Sequence, residues 1–309
     1  MCITFWTLEH PKYALILCTN RDEFIDRPTE NAHWHSFGHR AGPGLRSDIV
    51  LSGRDELAGG TWFGINRTGR VALLTNVTEP PSGQKFYSRG HLVSTFLLSD
   101  SSHPLEDEVE KIIPQDVQFA GFNLLLLAPA AAQADGDSKR TVCYDAALVT
   151  NYGGGGAITS RPITPQERVC GGFSNGVDGQ DGQEWPKVQH GIRSFKSLIE
   201  ELTPECEESQ LTDRLFQMLA WRSPQPVQHR SQLRETIQVA PISITLESAQ
   251  GSNSNHYATR LSTVLLVGRD GRVLFVERDI WTLEQNKVRR SEPPSQRVFR
   301  FQLENEAAT

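Results

Sequence analysis

The chain has no pair of cysteines at CxxC spacing, and its cysteines, Cys2, Cys18, Cys143, Cys170 and Cys206, are odd in number. That usage disfavours both a disulfide framework and a zinc site built on thiolates. It has no long basic run. With a net charge of -6 and a pI of about 5.9 it lacks the electrostatic footprint of a nucleic-acid-binding protein. No apolar stretch reaches the ~20 residues that cross a bilayer, and runs such as Leu124–Pro129 fall far short. The N-terminus lacks the basic n-region and long h-region of a secretory signal, and it is not rich in Arg and Ser like a transit peptide. These absences point to a cytoplasmic protein with no nucleic-acid partner and no transmembrane segment, and they leave the oligomeric state open. What is present is ordinary globular composition, 38% hydrophobic and 22% charged over 309 residues, enough for one large core or two smaller ones.

Alternating and β-rich runs at Ile3–Leu8 and Tyr13–Thr19 predict a hairpin around Glu9–Lys12. Thr61–Ile65 and Arg70–Thr75 predict a second pair, expected in the same sheet as the first. Helical spacing then appears at Arg89–Leu98 and Pro104–Ile113, the latter with acidic residues in its first turn. Strands are expected at Phe122–Leu127, Thr141–Val149 and Val169–Ser174, and helices at Pro186–Leu202 and Leu211–Trp221. Val239–Leu246, Thr259–Val267, Arg272–Glu277 and Gln296–Phe301 close the chain as strands. Ala131–Ser138, Gly153–Gly156, Gly176–Gly182, Ser223–Gln232 and Ser248–Asn255 read as surface loops. Cys18 and Cys143 sit in apolar stretches and read as buried small hydrophobes. Strands, two helices, strands, two helices, strands is the order of an α+β fold with two sheets between two helical layers. No linker divides it, so a single domain over 1–309, with loop insertions and a short C-terminal extension, is expected.

The chemistry gathers around Cys2. Removal of Met1 leaves a thiol and a free α-amine on one residue, and an α-amine of pKa ~7.7–8.0 acts as a base at neutral pH. Asn20-Arg21-Asp22-Glu23 follows the second predicted strand, where a carboxylate can pin an α-amine and an Arg can lower a thiol pKa. Gly59-Gly60-Thr61-Trp62-Phe63-Gly64 sets glycines around an aromatic strand, whose Trp62 and Phe63 serve either core or apolar pocket. Asn76 and Ser174-Asn175 end strands, where a side-chain amide makes an oxyanion donor. Arg260 is placed to reach an anionic group bidentately. His33, His35 and His39 have ligand-like spacing but no acidic or thiol partner nearby, and the stretch reads as a solvated loop; no metal site and no cofactor is expected.

Met1-Cys2-Ile3, Asn20-Arg21-Asp22-Glu23-Phe24 with Arg27-Pro28, and Gly59–Ile65 together resemble the NRDE family. So do Ala72–Asn76, Arg89-Gly90, Gly121–Leu124, Ser174-Asn175, and Thr259-Arg260 before Val264–Val267, so that the resemblance spans nearly the whole chain. The family is in turn distantly similar to the N-terminal-nucleophile hydrolases with a cysteine nucleophile, such as penicillin V acylase and bile salt hydrolase. That similarity implies a four-layer αββα sandwich. It casts Cys2 as nucleophile, Glu23 or Asp22 as the carboxylate that holds the α-amine, Asn76 and Asn175 as amides for substrate and oxyanion, and Arg260 as a late arginine. Those hydrolases carry Arg-Asn-x-Asp where this chain has Asn20-Arg21-Asp22-Glu23. One position in a strand reverses the face, so Arg21 joins Asn20, Thr61, Trp62 and Ser174 as a substrate-binding residue and is expected to point away from Cys2.

Two functions follow from the resemblance. One is an amidohydrolase or acyl-transfer enzyme that cleaves a C–N or thioester bond through a Cys2 acyl-enzyme. The other is a non-catalytic binding or trafficking protein for a small acyl-containing or hydrophobic ligand, acyl-CoA lipid or haem, linked to Golgi organisation, secretion and lipid homeostasis. The resemblance also implies a Golgi or mitochondrial association.

Overall fold

The computed structural model describes residues 2–38, 48–80, 86–99, 105–113, 117–130, 141–203, 205–248 and 251–304, without the side chains of 110, 245–248 and 251–254. The chain opens with strands β1 (Ile3–Thr7), β2 (Tyr13–Phe24), β3 (Thr29–His35), β4 (Val50–Asp55), β5 (Phe63–Asn66) and β6 (Val71–Asn76). Helices α1 (Gly90–Leu98) and α2 (Leu105–Ile112) precede strands β7 (Phe122–Pro129), β8 (Tyr144–Thr150) and β9 (Thr159–Pro162). After the short α3 (Pro165–Val169) and β10 (Gly171–Phe173) come α4 (Pro186–Glu200) and α5 (Glu208–Leu219). The last strands are β11 (Ile242–Ser248), β12 (Gly251–Gly268), β13 (Arg272–Asp279), β14 (Trp281–Glu284), β15 (Lys287–Arg290) and β16 (Gln296–Gln302).

The fold is α+β, and the chain divides into two compact units. The first comprises Met1–Arg27, Pro165–Val267 and Leu274–Arg300; the second comprises Pro28–Thr164, Gly268–Val273 and Phe301–Thr309. The first unit carries a sheet of order β10-β1-β2-β12-β13-β16, with β11 paired to β12. In β1 the alternation sends Ile3 and Phe5 to one face. The antiparallel register sets them opposite Asn20 and Cys18 of β2, so these four residues share that face. There Ile3, Phe5, Ile16 and Cys18 pack beneath Val188, Phe195 and Leu198 of α4 and Leu211, Leu215 and Leu219 of α5. The second unit holds a seven-stranded meander from β3 to β9, each strand antiparallel to the next in chain order. Helices α1 and α2 close its core through Leu92, Val93, Phe96, Leu97, Leu105 and Val109 against β6, β7 and β8. Two sheets, each backed by its own helix pair, are the parts that the expected αββα layering calls for.

Several expectations are corrected. The two N-terminal strand pairs do not share a sheet: β1–β2 lies in the first unit and β5–β6 in the second. Asn20–Glu23 does not follow a strand; it lies inside the twelve-residue β2, which ends one residue later at Phe24. Arg260 does not start a strand, because β12 begins at Gly251; of the loop expected over 248–255, Ser248 ends β11 and pairs with Gly251, and 251–255 belong to β12. His33 and His35 lie in β3, paired with β4, not in a loop; His39 falls outside the described residues, as does the loop expected at 131–138. Cys143 is exposed, because β8 starts only at Tyr144, one residue past it. Gly60 earns its place by close approach, since a Cβ there would sit 2.5 Å from the backbone of Gly90.

Candidate functional site

In the first unit β1 runs between β2 and β10, and the register Thr4↔Phe173 carries the chain before Ile3 alongside Ser174 and Asn175. Cys2 is half-buried there. Ser174 Oγ donates to the Cys2 carbonyl at 2.6 Å and lies 3.1 Å from Oδ1 of Asn175, itself buried. Burial pushes the Cys2 thiol above its ordinary value. The amino-terminal charge, the Asp22 backbone and the Arg21 guanidinium work against this, and the Asp22 carboxyl reinforces it. Arg21 is buried, and its charge acts on Cys2 despite its displacement by one position from the hydrolase order.

Asp22 is buried at the end of β2 and is tied from β12. Thr259 Oγ1 donates to its Oδ1 at 2.6 Å, and the Tyr257 hydroxyl donates to its carbonyl at 2.8 Å. Thr259 Oγ1 accepts in turn from the Val239 N–H at 2.8 Å, so the carboxyl is held through a short polar chain. Burial raises the Asp22 pKa, and the amino-terminal charge and Lys187 oppose the rise. Glu23 is half-buried and accepts the Phe24 N–H at 2.9 Å.

Asn20 has different work from the substrate contact expected of it. It has no exposed surface, and its Nδ2 donates to the carbonyls of Leu219 and Ile237 at 3.0 and 3.1 Å. Its Oδ1 accepts from Ser262 Oγ at 2.6 Å. Buried polar groups demand this pairing, and here it ties β2 to the end of α5 and to β12. Arg260 donates to the carbonyls of Phe24, at 3.4 Å, and Arg27. Burial lowers its pKa to about 10, and Arg21 adds to the lowering.

The remaining expected residues belong to the second unit. Thr61 is buried and donates to the Phe63 carbonyl at 3.2 Å. Trp62 is half-buried, its ring filling the space a Cβ at Gly53 would take. Asn76 is exposed at the end of β6, opposite Phe122 of β7. His35 Nε2 lies 2.9 Å from Ser52 Oγ, and no group of three metal-binding side chains occurs among the described residues.

The profile of the family described as Transport and Golgi organisation 2 matches residues 1–282. The chain belongs to that family. A Transport and Golgi organization protein 2 homolog of Bos taurus is 30% identical over 290 residues, covering 91% of this chain and 93% of the relative. The Homo sapiens homolog is 28% identical over 299 residues, with the same coverage of 91% and 93%. Among solved structures, a Caenorhabditis elegans N-acylethanolamine-hydrolyzing acid amidase ortholog is similar at a TM-score of 0.46 and 9% identity, over 86% of this chain and 92% of its own. A mutant conjugated bile acid hydrolase of Clostridium perfringens is similar at 0.44 and 8% identity, over 97% of both chains. At such scores no residue is carried across from either.

In this member of the Transport and Golgi organisation 2 family, the residue that sequence reasoning missed is Lys187. It is the second residue of α4, it has no exposed surface, and its Nζ has no hydrogen-bond partner among the described residues. The Trp185 ring centroid lies 5.8 Å from Nζ. Burial lowers the Lys187 pKa, and Asp22 and Cys2 draw it back up. The signal was in the helical period. Lys187, Gly191 and Phe195 recur every four residues, so the lysine shares the sheet-facing stripe. A lysine on a buried stripe is rare unless it is paired.

Proposed function

We propose that this protein is a cysteine acyl-transfer enzyme that hydrolyses an amide or thioester bond through a Cys2 acyl-enzyme. The observation that carries the reading is the grouping of Cys2, Arg21, Asp22, Ser174 and Asn175 about one strand end of the first unit. Loss of Met1 frees the Cys2 α-amine, Asp22 holds it, and it takes the thiol proton while Sγ attacks the carbonyl carbon. Asn175 supplies an amide donor to the developing oxyanion. The leaving group departs with the proton, and water then hydrolyses the thioester on Sγ. Glu23 backs Asp22, while Arg21 and Arg260 favour an anionic group on the substrate, with Ser174 as a further contact.

A second reading has its own support. A thiol raised by burial is a poor nucleophile at neutral pH, which suits a fold retained to bind a small acyl-containing or hydrophobic ligand, acyl-CoA or haem among them. The relatives' printed name links them to transport and Golgi organisation, and a cytoplasmic protein serving the Golgi fits either reading. No helix among the described residues is long and apolar enough to cross a membrane.

The test incubates wild type and Cys2→Ala with a panel of acyl amides and acyl-CoAs, after intact mass has established whether Met1 is lost in cells. The expected result is Met1 loss and turnover that Cys2→Ala abolishes. Retention of Met1 removes the α-amine base and sinks the mechanism as written. Ligand retention without turnover, equal in both proteins, selects the binding protein.

A further inference from the structure

We propose that Thr259 is a positioning residue of the Cys2 site, whose hydroxyl holds Asp22 as an aimed carboxylate. The proposal rests on the acyl-transfer reading, in which Asp22 holds the α-amine, and adds the group that fixes Asp22. Thr259 Oγ1 accepts the Val239 N–H at 2.8 Å, and the Thr259 N–H returns a bond to the Val239 carbonyl at 3.0 Å. A backbone N–H only donates, so a lone pair of Oγ1 is taken and the hydroxyl has its single proton to place. That proton goes to Asp22 Oδ1 at 2.6 Å, within the ~2.5–2.7 Å of a hydroxyl on an ionised oxygen. A proton on Oδ1 would have to be donated to Oγ1 instead. The threonine's own proton would then lose its acceptor inside a residue with no exposed surface.

The grip extends to the backbone. Tyr257, two residues earlier on the same face of β12, donates its hydroxyl to the Asp22 carbonyl at 2.8 Å. The register Ile3↔Asn20 carries the chain ahead of Ile3 alongside Arg21 and Asp22, which sets the gripped residue beside Cys2. Burial pushes Asp22 toward the neutral acid. The amino-terminal charge, Lys187 of α4 and the Thr259 bond oppose this, and Glu23 on β2 reinforces it. Cys2 and Arg21 are the other ionisable groups at that strand end. Without the Thr259 hydroxyl the carboxyl keeps its burial and loses a donor that favours the ionised form, so it takes up a proton at higher pH. A protonated Asp22 no longer holds an ammonium.

The experiment titrates the Asp22 carboxyl by 13C NMR in wild type, Thr259→Val and Thr259→Ser, with Asp22→Asn identifying the signal. Valine keeps the shape and removes the hydroxyl, whereas serine keeps the hydroxyl. The expected result is a midpoint that rises by about one pH unit or more in Thr259→Val and returns close to wild type in Thr259→Ser. A merely structural threonine would not move it. A midpoint unchanged in folded Thr259→Val, or displaced equally in Thr259→Ser, overturns the proposal. If Thr259→Val does not fold, the wild-type chain answers by proton NMR. The Thr259 hydroxyl proton is then expected to exchange slowly and to shift as Asp22 titrates, and a freely exchanging hydroxyl overturns the proposal. Turnover on the acyl panel is a separate readout. In an active enzyme the acidic limb of kcat/KM is expected to move to higher pH with the Asp22 midpoint, and a limb that stays in place while the midpoint moves removes Thr259 from the site. A moved midpoint in a protein with no turnover supports the hold on Asp22 and removes the enzyme reading.

Discussion

At the scale of single residues, His35 carries a pH dependence whose sign can be worked out. Its Nδ1 accepts the Phe37 N–H at 3.2 Å, which leaves Nε2–H to donate to Ser52 Oγ at 2.9 Å. This is a neutral imidazole, and protonating Nδ1 breaks the first bond. Burial, His33 and Arg54 lower its pKa from 6.5 to about 4. The unfolded chain therefore binds this proton between those values and the folded chain does not. The stabilisation is complete above about pH 6.5 and is lost as pH falls to about 4, by roughly 3 kcal/mol at most. Melting temperature measured from pH 7 to 4 is expected to fall less steeply in His35→Gln than in wild type; identical slopes reject the assignment. The same scale shows what could be read in advance. Cys2 stood out by its second position, and Ser174 and Asn175 by following the apolar run of β10, since small polar residues after apolar runs mark strand ends. Asn20 was misjudged because its three partners, Leu219, Ile237 and Ser262, are far away in sequence. Lys187 was passed over because a lysine in an amphipathic helix is normally assigned to the wet face.

At the scale of elements, α4, β1 and β10 meet around one ring and two absent side chains. A Cβ on Gly191 would lie 2.0 Å from Phe5 Cζ, and one on Gly172 2.7 Å from Phe5 Cδ1. Alanine in a helix interior gains about 1 kcal/mol over glycine, yet overpacking a closed core costs about 1–3 kcal/mol. Phe5 has no exposed surface into which to retreat, so the clash wins. Gly191→Ala is expected to destabilise the protein by about 1–2 kcal/mol in denaturant unfolding, and Phe5→Leu in that background to return part of the loss. A neutral or stabilising Gly191→Ala would show that α4 is free to move. The long apolar helices and strands were legible from periodicity. The strands that were missed, β3, β4, β9, β14 and β15, are short and polar or end in charged residues, and β14 and β15 bury no residue fully. They exist because a neighbouring strand offers them hydrogen bonds, and a single sequence does not display that.

At the scale of the molecule, the two units are assembled from the chain in different ways. Every strand of the second unit's sheet comes from Thr29–Pro162, so the sheet needs no strand from elsewhere. A fragment spanning 28–164 is expected to give a dispersed amide NMR spectrum with slow hydrogen exchange in β6 and β7; a collapsed spectrum would show that the flanking segments are required. The first unit is the opposite case: β2 lies between β1 and β12, which are drawn from the two ends of the chain. About 240 residues of synthesis separate the end of β2 from the end of β12, roughly 10–50 s at ordinary translation rates. Throughout that interval the segment bearing Cys2 has left the ribosome without the partners that later cover it. Until β12 is made, any reagent that reaches the nascent chain meets a Cys2 thiol that the finished fold half-buries.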